Sequence, residues 1–399
     1  MVMPATDALR VTAFALIDRV LADAVDSGVA AGLVGAVGRG DAVLYEAGYG
    51  VRVADTPAPM QADTIVWLAS MTKLVTTMAA MQLVETGALA LDSPIAGLLP
   101  ELAEPDVLAG FAADGSPILR PARGAITLRQ LLTHSSGIGY ELMHPNLLRA
   151  RGPGGAPLAT TLASLRGPLA SDPGTGWTYG YGIDWAGIAI ERRSGLTLDR
   201  YMAEHIFAPL AMDDTGFVVP ETARSRVAGV QLRQSDSTLV TIPSPAGAPE
   251  DWEFHSGGAG LFGTARDYLR LLRMILRGGE LDGVRILRAD TVAAMAANQI
   301  GDRAGGRLDT SNPAITLPYD PLPGQVAGWS LLGAHNAAAV PGARHAGSAS
   351  WAGVAGTLFW VDPEADLCGV LIAQLLPFGD PALRAVQLAF EHAAYADAA

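Results

Sequence analysis

Lysine is nearly missing from this chain. Of its 27 basic side chains only Lys73 is a lysine, and the rest are arginine. Arginine solvates a surface and pairs with carboxylates as well as lysine does, so the shortage leaves surface chemistry intact. What it excludes, everywhere but position 73, is a side-chain amine able to give up its proton near neutral pH. A guanidinium stays protonated, whereas an amine is neutralised by burial or by a neighbouring cation. Cysteine is as scarce: Cys368 stands alone in "DLCGVLIAQLL", which rules out an internal disulfide or a cysteine-built metal site. It reads as a small buried hydrophobe. Positive charge is in deficit overall, at a net −13. Nucleic acid and anionic membrane surfaces are therefore not expected as partners. No apolar run is long enough to span a bilayer. The N-terminus lacks a basic start, an apolar block and a small-residue cleavage site, so the expected location is cytoplasmic.

What is present describes a globular protein. The chain has 399 residues, 50% hydrophobic and 17% charged. "DALRVTAFALIDRVLADAVDSG" carries Leu9, Phe14, Ile17, Val20, Leu21 and Val25 at helical spacing and stops at Ser27-Gly28. "AGLVGAVGRGDAVLYEAGYGV" reads as a hairpin turning at Arg39-Gly40-Asp41. "SMTKLVTTMAAMQLVETG" is helical, apolar on nearly all sides, and ends at Gly87, the pattern of a buried central helix.

The middle of the chain reads as helices joined by Gly/Pro loops, with "RGPGGAP" at 151–157 as a surface loop. "TARDYLRLLRMILRGG" begins at the N-cap Thr264, and Arg266, Arg270, Arg273 and Arg277 mark one solvated face. Strand patterns return in "GWSLLG", "SWAGVAGTLFWVD" and "LCGVLIAQLL", before a last helix "DPALRAVQLAFEHAAYA". The expected fold is α+β. An antiparallel sheet built from both chain ends (1–90 and 300–399) is flanked by terminal helices, beside a mainly helical subdomain (91–299), with the active site between them.

Ser70 and Lys73 are three apart on a helix and share a face. A neutral lysine amine can take the proton that makes a serine hydroxyl nucleophilic, and a helix start offers backbone N–H groups to a developing oxyanion. The rival chemistries are missing. There is no G-x-S-x-G elbow and no H-E-x-x-H, and the seven histidines are scattered. His205 reads as a packing residue. No metal and no cofactor are expected.

These residues carry a resemblance. "SMTK" at 70–73 resembles the S-x-x-K of the serine β-lactamase and penicillin-binding-protein superfamily. "ITLRQLLTHSSGIGY" (126–140) resembles a segment common in its class C branch, "PGTGWTYGYGIDWAG" (173–187) the segment holding the family's Tyr-x-Asn, and "GGAGLFGTARDYLRLLRMILRGG" (257–279) the helix entry that follows, in the same order. The resemblance implies a β-lactamase-like fold and places Tyr179 on the catalytic tyrosine, as a proton relay beside Lys73. The family's Asn two residues on is replaced by Tyr181, which reads as pocket wall.

Two segments fit the family's third motif. Trp351-Ala352-Gly353 resembles the Trp-Gly-Gly of family VIII carboxylesterases and related acyltransferases, and makes the N–H of Val354 the oxyanion partner of Ser70's. His345-Ala346-Gly347 would use Ser348 instead. Asp184 either orients the tyrosine loop or caps a helix, and capping is the expected role. The function implied is a serine carboxylesterase acting on a small-molecule, short-chain ester through a Ser70 acyl-enzyme. The alternatives are an acyltransferase, a β-lactamase or D-Ala-D-Ala peptidase, and a non-enzymatic acylated sensor.

Overall fold

A computed structural model describes residues 14–54, 56–152, 160–242 and 252–399. Most of the 151–157 loop and the start of the N-terminal helical pattern, Leu9 included, lie outside the described residues. The first described helix, α1, is Ala15–Asp26, with Ile17, Leu21 and Ala24 buried. It ends at Gly28, whose φ of +74° suits a residue without a Cβ.

Seven strands form one antiparallel sheet: β1 (Gly32–Gly38), β2 (Val43–Gly50), β3 (Gly328–Ser330), β4 (Gly333–His335), β5 (Ala349–Gly353), β6 (Thr357–Asp362) and β7 (Leu367–Ile372). Their order is β3-β4-β5-β6-β7-β1-β2. The two ends of the chain meet where β1 pairs with β7, from Val34 opposite Ile372 to Gly38 opposite Cys368.

Neighbouring aromatics on β6 show how the sheet is covered. Trp360 meets Phe390 of α5 (Pro381–Ala398), and Phe359 meets Tyr268 of α4 (Ala265–Leu276). Side chains alternate along a strand, so α4 and α5 lie on opposite faces. Helix α1 packs beside α5, and Asp397 accepts from the N–H groups of Leu16 and Ile17 at 3.1 Å each.

Four readings need correction. Helix α4 belongs to the span 91–299 but packs on the sheet. Its arginines do not share a solvated face: Arg273 is buried and donates from Nε to the Arg39 carbonyl at 3.1 Å, bracing the β1–β2 turn. The middle of the chain also contains strand hairpins, Asp106–Phe111 with Pro117–Pro121 and Val230–Arg233 with Leu239–Ile242. In the first of them the Ala, Gly and Pro of DVLAGF and PILRP hide the strand pattern. His205 is exposed, with its ring against Tyr201.

Candidate active site

The nucleophile candidate stands on a strained turn. The short strand Val66–Trp67 pairs with Phe262–Gly263 and leads to Ala69, whose φ is +48°. A non-glycine residue pays for that conformation, and such strain gathers at functional sites. Ser70 therefore sits in a 3₁₀ turn, Ala69–Met71, just ahead of helix α2 (Thr72–Glu85), and not in the helix itself. Residues Thr72 to Met81 are all buried, as the all-round apolar pattern predicts.

Lys73, 4% exposed, has three partners. Its Nζ lies 3.0 Å from Ser70 Oγ, 2.7 Å from the Gly258 carbonyl and 3.2 Å from Tyr140 Oη. Two side chains hold the turn carrying Gly258. Thr76 Oγ1 donates to the Gly257 carbonyl at 2.7 Å. Asp184 Oδ1 accepts from Ser256 Oγ at 2.6 Å and from the Gly258 N–H at 3.0 Å. Asp184 is thus no cap. It lies in the first turn of helix α3 (Gly182–Ser194), whose N-cap position is Tyr181, and reaches across to the 256–258 turn.

The phenol bonded to Lys73 is that of Tyr140. Tyr179 presents its ring to the amine, 4.7 Å from Nζ to the centroid, and its Oη accepts from Trp351 Nε1 at 2.9 Å. Spacing arguments do not reach Tyr140, which is 67 residues from Lys73. Its one sequence signal is that it closes the 126–140 segment. Burial, and after it the charge of Asp184, holds the Tyr140 phenol well above its ordinary pKa, so it stays protonated.

Tyr181 donates to Glu141 Oε2 at 3.3 Å, and Glu141 also pairs with Arg151. The Tyr181 ring meets Tyr140 on one side and lines a separate cleft of about 180 Å³. His134 is fully buried against Tyr179 and Trp329, with centroids at 4.5 and 5.2 Å. Burial first, and the nearby Lys73 second, push its pKa well below 6.5 and keep it neutral.

Strand β5 brings Trp351, Gly353 and Val354 to the same place. A Cβ on Gly353 would stand 2.3 Å from Thr357 Oγ1 and 2.5 Å from the Leu68 carbonyl, so only glycine lets the strand touch the nucleophile's turn. Among the described residues the backbone N–H groups of Ser70 and Val354 find no acceptor. His345 is placed elsewhere, its Nδ1 2.9 Å from Asp362 Oδ2, and the Ser348 N–H is engaged by the His345 carbonyl at 3.3 Å. The space lined by Ser70, Lys73, Trp329 and Trp351 is tight, about 20 Å³. Among the described residues no group of three or more His, Cys, Asp or Glu is arranged to hold a metal.

A serine on a strained turn, a buried lysine on its hydroxyl and strand β5 closing over both define a serine hydrolase of β-lactamase-like fold. The chain belongs to the Beta-lactamase family, whose model matches residues 17–394. It is 34% identical to lovastatin esterase of Penicillium rubens over 355 residues, 84% of this chain and 86% of that protein. It is also 34% identical to monacolin J acid methylbutanoyltransferase of Aspergillus terreus over 364 residues, 85% of this chain and 83% of the other. Among solved structures, a LovD6 mutant of simvastatin synthase from Aspergillus terreus superposes with a TM-score of 0.82 at 31% identity, covering 97% of each chain. No helix among the described residues is long and apolar enough to cross a membrane.

Proposed function

We propose that the chain is a serine esterase that cleaves short-chain carboxylic esters through an acyl-enzyme on Ser70. The observation that carries this reading is the contact of 3.0 Å between Lys73 Nζ and Ser70 Oγ. In the first step the Ser70 hydroxyl proton passes to the amine as Oγ attacks the ester carbonyl. The N–H groups of Ser70 and Val354 receive the oxyanion. Tyr179 Oη already accepts from Trp351, which leaves its own O–H to donate to the departing alcohol oxygen. The C–O bond to the alcohol breaks, the alcohol leaves with the Tyr179 proton, the Lys73 ammonium hands its proton on to the Tyr179 oxygen and is a neutral amine again, and the acyl group stays on Ser70. In the second step water gives its proton to the same base and attacks the acyl carbon, and Ser70 recovers its proton.

A second reading, acyl transfer to an alcohol in place of water, draws support from the relatives, which include both an esterase and a methylbutanoyltransferase. The test is steady-state turnover of p-nitrophenyl butyrate. Ser70→Ala removes it, while competing alcohols divert the acyl group from free acid to ester if transfer operates. Release of a single equivalent of nitrophenol would instead mark a protein that is acylated once, and turnover surviving in Ser70→Ala would sink the nucleophile assignment.

A further inference from the structure

Asp184 has no part in the chemistry described so far, yet it is 2% exposed and sits behind the base. A carboxyl group sealed from water is costly unless it is hydrogen-bonded or compensates a charge. Its Oδ1 holds the 256–258 turn, as described. Its Oδ2 faces Tyr140. A Cβ added at Gly258 would lie 2.5 Å from Asp184 Oδ2 and 2.9 Å from Tyr140 Oη, so both oxygens press on one glycine. The titratable groups facing this pair are Lys73 on α2 and Tyr179 and Tyr181 on the segment entering α3. Behind Tyr181 stands the Glu141–Arg151 pair. Lys73 is the cation directly opposite.

We propose that Asp184 is a positioning residue that acts on Lys73 through Tyr140. It fixes the direction of the hydrogen bonds around the amine and supplies the charge opposite the ammonium that forms when Ser70 is deprotonated. This rests on the reading of Ser70 as nucleophile and Lys73 as base.

The direction follows from what each group can do. A carboxylate only accepts. With the Tyr140 O–H turned toward it, the phenol oxygen can only receive an N–H from Lys73. The Gly258 carbonyl, also an acceptor alone, receives another. A neutral amine has two N–H bonds and one lone pair. With both N–H bonds committed away from Ser70, the lone pair is left facing the Ser70 hydroxyl. Were Tyr140 reversed, its O–H would occupy that lone pair and the serine would have no base. When the Ser70 proton does move to Nζ, the ammonium faces a carboxylate with one phenol between them, and the pair is neutral overall. Asp184 thereby touches both arms of the cradle, Tyr140 directly and the Gly258 carbonyl through the Gly258 N–H.

Asp184→Asn tests this. The carboxamide keeps the shape and an acceptor for Ser256 and Gly258, but presents N–H to Tyr140 where an acceptor stood. With p-nitrophenyl acetate, kcat is expected to fall about 100-fold, the scale of a mispositioned base. KM should stay within roughly threefold, since no substrate contact is removed. The acidic limb of the kcat profile should move to lower pH, because the ammonium has lost its counter-charge. A purely structural role would lower the rate without moving that limb.

Tyr140→Phe should shift the limb the same way, and the double variant should be no slower than Tyr140→Phe alone. Wild-type kcat with an unmoved limb in Asp184→Asn overturns the proposal, as do fully additive losses in the double variant. If Asp184→Asn fails to fold, the Tyr140→Phe profile decides, and an unmoved limb there is equally fatal. Labelling with a fluorophosphonate separates the two levels. A Ser70→Ala protein that still labels or turns over defeats the nucleophile assignment. An inert Ser70→Ala beside an unaffected Asp184→Asn defeats only the role given to Asp184.

Discussion

Lys73 is the residue at which sequence and geometry meet most directly. A chain that writes its other basic positions as arginine keeps an amine here, and the amine contacts Ser70. If that amine accepts the serine proton, Lys73→Arg should lose about as much activity as Lys73→Ala. The expected loss is at least roughly 100-fold in kcat/KM for p-nitrophenyl butyrate, because the guanidinium holds its proton. An arginine variant close to wild type would reduce the lysine to a fixed positive charge. The tyrosines divide in the same way. Tyr179→Phe removes the O–H left free by Trp351 and should lower kcat by roughly two orders of magnitude. Tyr181→Phe removes an O–H committed to Glu141 and should cost much less, and the reverse ranking in initial rates would exchange their roles. Ser70, Lys73 and Tyr179 were all legible from short motifs. Tyr140 and the Gly258 carbonyl were not, since they reach Lys73 from remote segments and one of them is backbone, which leaves no mark on side-chain spacing.

Elements were legible where their periodicity was strong and unbroken. The hairpin at Arg39-Gly40-Asp41, the buried helix after Ser70 and the Thr264 cap all follow from local pattern. The four arginines of α4 show the limit. A helical repeat of charge looks solvated until the sheet packs against it, and the long stem of Arg273 can lie buried with its Nε hydrogen-bonded. The same helix carries a pH effect. Asp267, at its first turn, accepts from the Asp214 N–H at 2.9 Å and the Thr215 hydroxyl at 2.8 Å. Burial nonetheless raises its carboxyl pKa from 3.8 to about 6. A carboxyl raised on folding stabilises fully below its unfolded pKa and loses that contribution as pH climbs through the folded one. Between pH 4 and 7 the wild type should lose roughly 2 kcal/mol of unfolding free energy that Asp267→Asn does not lose. Urea titrations of both proteins at the two pH values check this, and parallel curves would remove Asp267 as the source.

At the scale of the molecule, the net charge of −13 bears on substrate choice. Strand β5 carries Trp351-Ala352-Gly353 and no lysine, so on the proposed reading of it as the third motif a substrate carboxylate has no cation there to meet. Hydrolysis of p-nitrophenyl butyrate should therefore far exceed that of benzylpenicillin, an anion. Added salt should narrow the gap by screening the repulsion. Comparable turnover of the two at low ionic strength would overturn the ester preference.

The joining of both chain ends in one sheet was legible from strand patterns at either end. The order of the strands was not, because nothing local says that β7 adds beside β1. That order reaches beyond the finished enzyme. The carbonyl of Leu68, next to the nucleophile's turn, accepts from Thr357 Oγ1 across a sequence separation of 289. The first strand likewise waits for residues 368–372 to complete its pairing. A ribosome that has made Ser70 and Lys73 must therefore add most of the remaining chain before Val354 can bring its N–H to the site. Contacts so distant in sequence close late and slowly. On the proposed mechanism the nascent polypeptide carries Ser70 and Lys73 for most of synthesis without the means to bind an oxyanion, and its site is complete only once the strands around residue 354 have been made.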